Sequence, residues 1–331
     1  MQIQSKGSAS HMLKKNSLQN KAVLIFLFFA LLINLSSCQD IKSDAEANGY
    51  ITFSDALGRT VSLKKQPERV AALLGSFADI WLLSGGEIVA ASEDAWDDFG
   101  LTLEDAVNIG GAHSPSVEKL LACSPDFVIA SSSTAADINM KDILENSGIA
   151  VAYFDIDCFE DYLSMLDLLT DITGRKDLYI KNGLETQRFI ESLKMQFFEE
   201  NIPEEEKRIL LLRASSSSVK AKSSKNTILG EMLDDLGCTN IADSDNTILE
   251  NLSIESIIKQ NPYRIFIVTM GNDSQSTINS LQKTIYENPS WQALDAVKNN
   301  RIHIMEKRLF NLKPNKNWAE AYEELIKIFI G

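Results

Sequence analysis

Residues that could do chemistry are few and dispersed in this chain of 331 residues. There are three histidines (His11, His113, His303) and four cysteines (Cys38, Cys123, Cys158, Cys238). No CxxC spacing, HExxH, paired histidines or Gly-x-Ser-x-Gly elbow occurs. Nucleophilic catalysis needs a nucleophile beside a base, and a zinc or redox site needs clustered ligands. The sequence offers neither, so no enzyme activity and no cofactor are expected. Cys123, Cys158 and Cys238 read as small buried residues, and three cysteines cannot all pair, so at least one stays free. Cys38 differs. It closes Leu35-Ser36-Ser37-Cys38, after an apolar run from Ala22 to Leu35 fronted by Lys14, Lys15 and Lys21. That is the layout of an export signal, with an apolar stretch too short for a comfortable membrane span. An uncleaved anchor helix is the alternative.

The remaining chemistry is electrostatic. Of the 32 basic residues four precede Cys38, and none of the 46 acidic ones does, which leaves the rest of the chain at a net charge of −18. A nucleic-acid partner needs a basic footprint, and anionic lipid would repel such a surface. Two carboxylates stand out because the chain repeats itself. Ser116-Val117-Glu118-Lys119-Leu120-Leu121 with Ser124-Pro125-Asp126 matches Ser253-Ile254-Glu255-Ser256-Ile257-Ile258 with Asn261-Pro262-Tyr263, 137 positions later. Each copy predicts a short helix, a proline stop and an apolar strand, with Ser114 and Asn251 as matching N-caps.

The elements that must hold these residues alternate. Ile51–Phe53 and Val61–Leu63 predict a hairpin about Gly58. Strands at 69–74, 87–91, 127–130 and 149–154 alternate with helices at 76–83, 115–122, 138–146 and 159–170, which argues for a parallel sheet with helices on its faces. From Lys176 to Glu200 runs one long helical stretch, roughly 35 Å at 1.5 Å per residue. A second set follows, with strands at 208–212, 264–268 and 301–305 among helices at 227–236, 254–259, 275–286 and 318–329. The parse is a cloning scar at 1–11, a signal at 12–37, a polar tether at 38–49, a first lobe at 50–174, a linking helix at 175–202 and a second lobe at 203–331. Asp155 and Asp157 are expected to cap the helix that begins near Phe159.

The Leu-Ser-Ser-Cys ending resembles the lipobox of bacterial lipoproteins, which implies lipidation of Cys38. The segments Pro67-Glu68-Arg69-Val70-Ala71, Gly110-Gly111-Ala112-His113-Ser114-Pro115, Leu168-Leu169-Thr170-Asp171-Ile172-Thr173-Gly174-Arg175 and Asn288-Pro289-Ser290-Trp291 extend the likeness. Taken in order, they resemble the substrate-binding lipoproteins of ABC importers for iron–siderophores, haem and cobalamin. The resemblance covers about residues 50–331. It implies an α/β fold of two lobes, each a mainly parallel sheet flanked by helices, joined by one rigid helix. It further implies a lipid-anchored, extracytoplasmic monomer that delivers a metal chelate to a permease dimer with its ATPase. Glu118 and Glu255 would meet permease arginines; the plain alternative is that each merely favours its helix N-terminus.

Ligands of parallel sheets lie beyond the carboxyl ends of the strands. The expected contacts are therefore Phe77, Trp96 and Phe310 as apolar walls, and Gly111, Ser132 and Met270 in the loops. Arg213, Lys220 and Lys222 would neutralise an anionic cargo. Trp96 has the alternative of folding onto its own lobe, and Lys220 and Lys222 that of a solvated role. His113 is the one candidate axial ligand for haem iron, although the expected tyrosine is missing from its loop; a hydrogen-bonding role is the alternative. His303, between Ile302 and Ile304, reads as structural. A ferric siderophore is the expected cargo, haem or a corrinoid the nearest alternative, and a tethered sensor or extracytoplasmic enzyme a more distant one.

Overall fold

The computed structural model describes residues 49–271 and 274–331, so the signal segment and Cys38 lie outside the described residues. A hairpin of β1 (Tyr50–Ser54) and β2 (Thr60–Lys64) turns at Gly58, whose φ is +72°. Then come β3 (Val70–Ala72), α1 (Gly75–Leu83), β4 (Ile88–Ala91), α2 (Asp94–Asp97), β5 (Val107–Asn108), α3 (Val117–Ala122), β6 (Phe127–Ser131) and β7 (Ala150–Phe154). These five strands, β3 to β7, form a wholly parallel sheet in the order β5-β4-β3-β6-β7. The order reverses between β3 and β6, and such a reversal opens a crevice at the carboxyl ends.

The chain leaves this sheet through α4 (Phe159–Thr173). It crosses by a helical run over 176–199, made of a first turn, a π segment at Ile180–Leu184 and α5 (Glu185–Glu199). The π segment packs closely on α4. Gly183 lies against α4, where an added Cβ would stand 3.0 Å from Leu163 Cδ2. The Asn182 carbonyl turns out to accept the Tyr162 hydroxyl at 3.0 Å, and Asn182 Nδ2 donates to the Leu83 carbonyl at 2.8 Å. The Asn182 carbonyl also accepts from Thr186 Oγ1 at 3.1 Å, and together these bonds tie the crossing run to α4 and to the end of α1.

The second half contributes β8 (Arg208–Ala214), β9 (Val219–Ala221), α6 (Ile228–Asp235), β10 (Thr239–Asn240), α7 (Ile254–Gln260), β11 (Arg264–Thr269), β12 (Ile302–Met305), α8 (Lys307–Phe310) and α9 (Trp318–Ile330). Its sheet runs β10-β8-β11-β12, all parallel, with β9 antiparallel to the end of β8. The strands are apolar on both faces because both faces are covered. Phe127 and Ile129 of β6, Ile209 and Leu211 of β8, and Phe266 and Val268 of β11 enter one shared core with α4, α5 and α9. Their alternates Val128 and Ala130 pack on the outer side of the first sheet, and Leu210, Leu212, Ile265 and Ile267 on the outer side of the second. Burying one Leu, Ile or Phe is worth about 1.5–3 kcal/mol, so this shared layer binds the two sheets strongly.

Some local readings are corrected. The caps are Ser116 and Ser253, whose hydroxyls accept from Lys119 N and Ser256 N; Ser114 and Asn251 lie two residues too early. The helix after β7 begins behind Cys158, and Asp161 turns back to accept from Asp157 N at 3.0 Å and Cys158 N at 3.1 Å. Asp155 and Asp157 therefore do not cap it. The loop from 92 to 114 holds α2 and β5, and the helix expected at 138–146 is two short ones, Ala135–Asn139 and Lys141–Asn146.

Candidate functional site, a cleft between the sheets

Loops at the carboxyl ends of both sheets line a cavity of about 440 Å³. The first half supplies Glu93, Asp94, Asp97, Asp98, Gly111 and His113; the second supplies Met270, Gly271, Lys307 and Lys313; Leu74, Phe99 and Leu312 give apolar wall. Two carboxylates are held by the fold. Asp94 Oδ2 accepts from Gly75 N, at the start of α1, at 2.8 Å, and its Oδ1 accepts from the Ser92 hydroxyl. A carboxylate there satisfies an orphan amide at a helix N-terminus. Only glycine permits the approach, because a Cβ at Gly75 would lie 2.5 Å from Ala95 N. Asp98 is paired with Lys307 at 2.6 Å.

Beside Lys307, Arg308 lies 4.1 Å over the Phe99 ring and 3.3 Å from Asp79. Asn315 Nδ2 donates to the Ser76 carbonyl at 2.9 Å and to Asp79 Oδ2 at 2.8 Å. Burial raises the pKa of the Asp79 carboxyl despite these partners. The stretch from Lys307 to Asn315 is thus a second crossing between the halves. It carries Lys313 to the cavity, with its ammonium 5.8 Å from the Phe77 ring centre. Burial pushes the Lys313 pKa down, while Asp155, Asp157 and Asp94 act in the opposite sense. Behind the first-half wall, Asp137 is fully buried. Its Oδ2 accepts from Ser131 N at 2.7 Å, and its Oδ1 has no partner. Burial, with Asp94 nearby, raises its pKa to about 7.

The structure gathers Gly111, His113 and Met270 at the cavity, His113 exposed and Met270 45 % exposed. No group of three metal-ligating residues occurs among the described residues. Phe77 and Phe310 belong to the core instead, at 0 % and 2 % exposure; their positions next to loop ends misled, because both rings fill the shared layer. Trp96 packs half-buried against that core, and Ser132 Oγ donates to the Phe154 carbonyl at 3.3 Å. Arg213, Lys220 and Lys222 form a separate basic group on the β8–β9 hairpin, Arg213 standing opposite Lys220 in register. Arg213 Nε is sealed from solvent without an acceptor. Burial lowers the pKa of both Arg213 and Lys222, and the neighbouring cations lower Lys222 further. His303 lies against Phe266, ring centres 5.2 Å apart. Glu118 and Glu255 are exposed in the first turns of α3 and α7. Cys123, Cys158 and Cys238 are all free; Cys123 and Cys238 are buried and Cys158 half-buried, with burial pushing Cys158 and Cys238 up to about 12.

Sequence reading did not single out Glu93, Asp97, Asp98, Lys307 or Lys313. The spacing of Glu93 and Asp97, one helical turn apart, was the available signal for those two. Lys307 and Asp98 are 209 residues apart, and nothing local announces their pairing.

With that geometry, the chain belongs to the periplasmic binding protein family, whose profile matches residues 70–309. A curated relative is an uncharacterized ABC transporter substrate-binding lipoprotein, YvrC, of Bacillus subtilis (strain 168), 23% identical over 302 residues, covering 88% of this chain and 90% of the relative. Among solved structures, Staphylococcus aureus SirA complexed with staphyloferrin B matches with a TM-score of 0.63 at 18% identity, over 84% of this chain and 96% of that one. S. aureus IsdE complexed with heme matches with a TM-score of 0.65 at 18% identity, over 80% and 99%. By name the first is a substrate-binding lipoprotein, and the other two are solved with a bound ligand. Among the described residues, no helix is long and apolar enough to cross a membrane.

Proposed function

We propose that this protein is the extracytoplasmic substrate-binding lipoprotein of an ABC importer. Held to the membrane through Cys38, it captures an iron complex, a ferric siderophore, between binding lobes at 50–174 and 203–331 and delivers it to a permease dimer with its ATPase. One observation carries the reading: a cavity at the carboxyl ends of two parallel sheets, in a chain whose halves share a core and are bridged twice. Such a site is largely preformed, so binding orders little of the protein. Arg213, with Lys220 and Lys222, supports recognition of acid groups on the cargo, since a buried guanidinium nitrogen without an acceptor calls for one. Gly111, Met270 and His113 border the cargo, and Glu118 with Glu255 dock on the permease. Haem is the second reading, favoured by His113 on the cavity wall, although the four carboxylates there would repel propionates. Titrations with ferric siderophores, haemin and cobalamin, followed in the ultraviolet–visible range, test this. One ferric chelate should saturate at one equivalent; failure of all three classes to bind would overturn the reading.

A further inference from the structure

The cargo's charge can be read from the cavity. Four carboxylates and two ammonium groups line it. Asp94 is committed to the start of α1 and Asp98 to Lys307. Lys313 is already faced by Asp94, Asp155 and Asp157, so neither lysine has charge to spare for the rest of the wall. Glu93 and Asp97 remain. They stand one turn apart on α2 and its preceding residue, both exposed at the cavity wall. Among the described residues, neither has a cation within 4.0 Å. Among the described residues, Met270 and Gly271, which the second half contributes to the lining, bring no charge. The basic group of Arg213, Lys220 and Lys222 lies beside this cavity, at the end of β8 where the Ala214 carbonyl accepts from the amide of cavity-lining Met270 at 2.8 Å, and it too has no oppositely charged partner within 4.0 Å among the described residues. Opposite charges are thus left uncompensated at two separate places around the cleft.

We infer that the cargo is an amphoteric chelate, whose cationic group, a pendant ammonium or similar, lies against Glu93 and Asp97 while its acid groups face Arg213. This rests on the receptor reading above and narrows its substrate class. Fully anionic chelates, such as a ferric tris-catecholate, are disfavoured because they would meet an unneutralised acidic wall.

Two probes test it on the full chain. Hexaamminecobalt(III), a compact trivalent cation, should raise the melting temperature of the wild type at low salt. The increase should be lost in E93Q/D97N but kept in E250Q/E287Q, which removes equal charge from exposed positions elsewhere. Salt should weaken the effect, as expected for exposed charges. The second probe is a ferric tris-hydroxamate with a pendant ammonium, compared with its N-acetyl derivative. The ammonium form should bind at least about tenfold more tightly to the wild type and equally with it to E93Q/D97N. Stabilisation by cobalt that survives in E93Q/D97N, or that is absent from the wild type, would overturn the inference. So would wild-type binding that ignores acetylation. If no ferric chelate, haemin or cobalamin binds at all, the receptor reading fails, and the cobalt result alone then decides whether the acidic wall is a cation site.

Discussion

Asp137 shows how a residue's setting differs from its letter. In sequence it is one more acid in a helix; in the fold it is a buried carboxyl with one oxygen unpartnered and a pKa near 7. The native state therefore holds a proton that the unfolded chain, with an ordinary aspartate near 3.8, gives up earlier. Where the native state binds more protons, stability falls as pH rises. The contribution is full below pH 4 and is lost between about pH 4 and 7, on the order of a few kcal/mol across the window. Asp137→Asn should flatten this dependence, and denaturant unfolding at pH 5 and pH 8 would measure it. A variant that keeps the wild-type slope would show that another group is responsible. Residue-level legibility followed the same division. Gly111, His113 and Met270 line the cavity, because loop ends of parallel sheets are predictable positions. Phe77 and Phe310 are buried in the core instead, because spacing does not say which way a ring points.

At the scale of elements the sequence was most informative. Alternating apolar runs bounded by Gly and Pro announced nearly every long strand and helix. The short pieces, α2, β5, β9 and β10, went unread, because two to four residues carry no period. The repeat was legible, yet its caps were misassigned by two residues, since Ser116 and Ser253 match as well as Ser114 and Asn251 do. The corrected caps sharpen a prediction about the helices they begin. Glu118 and Glu255 sit at the same place in the first turns of α3 and α7, and neither side chain has a partner among the described residues. E118K/E255K should fold and bind cargo with unchanged affinity yet fail to support uptake in cells carrying the importer. Loss of cargo binding by that variant would contradict a docking role. Exposed ion pairs contribute about 0–1 kcal/mol, so the effect should lie in orientation and encounter more than in stability.

The whole molecule is organised by two crossings. The run over 176–199 was visible as an uninterrupted helical pattern. The return through Lys307 and Asn315 was not, since its partners Asp79 and Asp98 lie more than two hundred residues earlier. Pairings of that separation leave no local trace, yet they tie the two sides of the cleft together beside Lys313 on its wall. Two crossings and a shared core argue for a site formed before the cargo arrives, with small changes on binding. The central claim is that cargo sits between the sheets. Hydrogen–deuterium exchange with and without a saturating ferric chelate tests it most directly. Protection should be confined to residues 93–99, 110–114, 213–222, 270–271 and 307–313, with the strands of both sheets otherwise unchanged. Protection elsewhere, or on one half of the molecule alone, would contradict it.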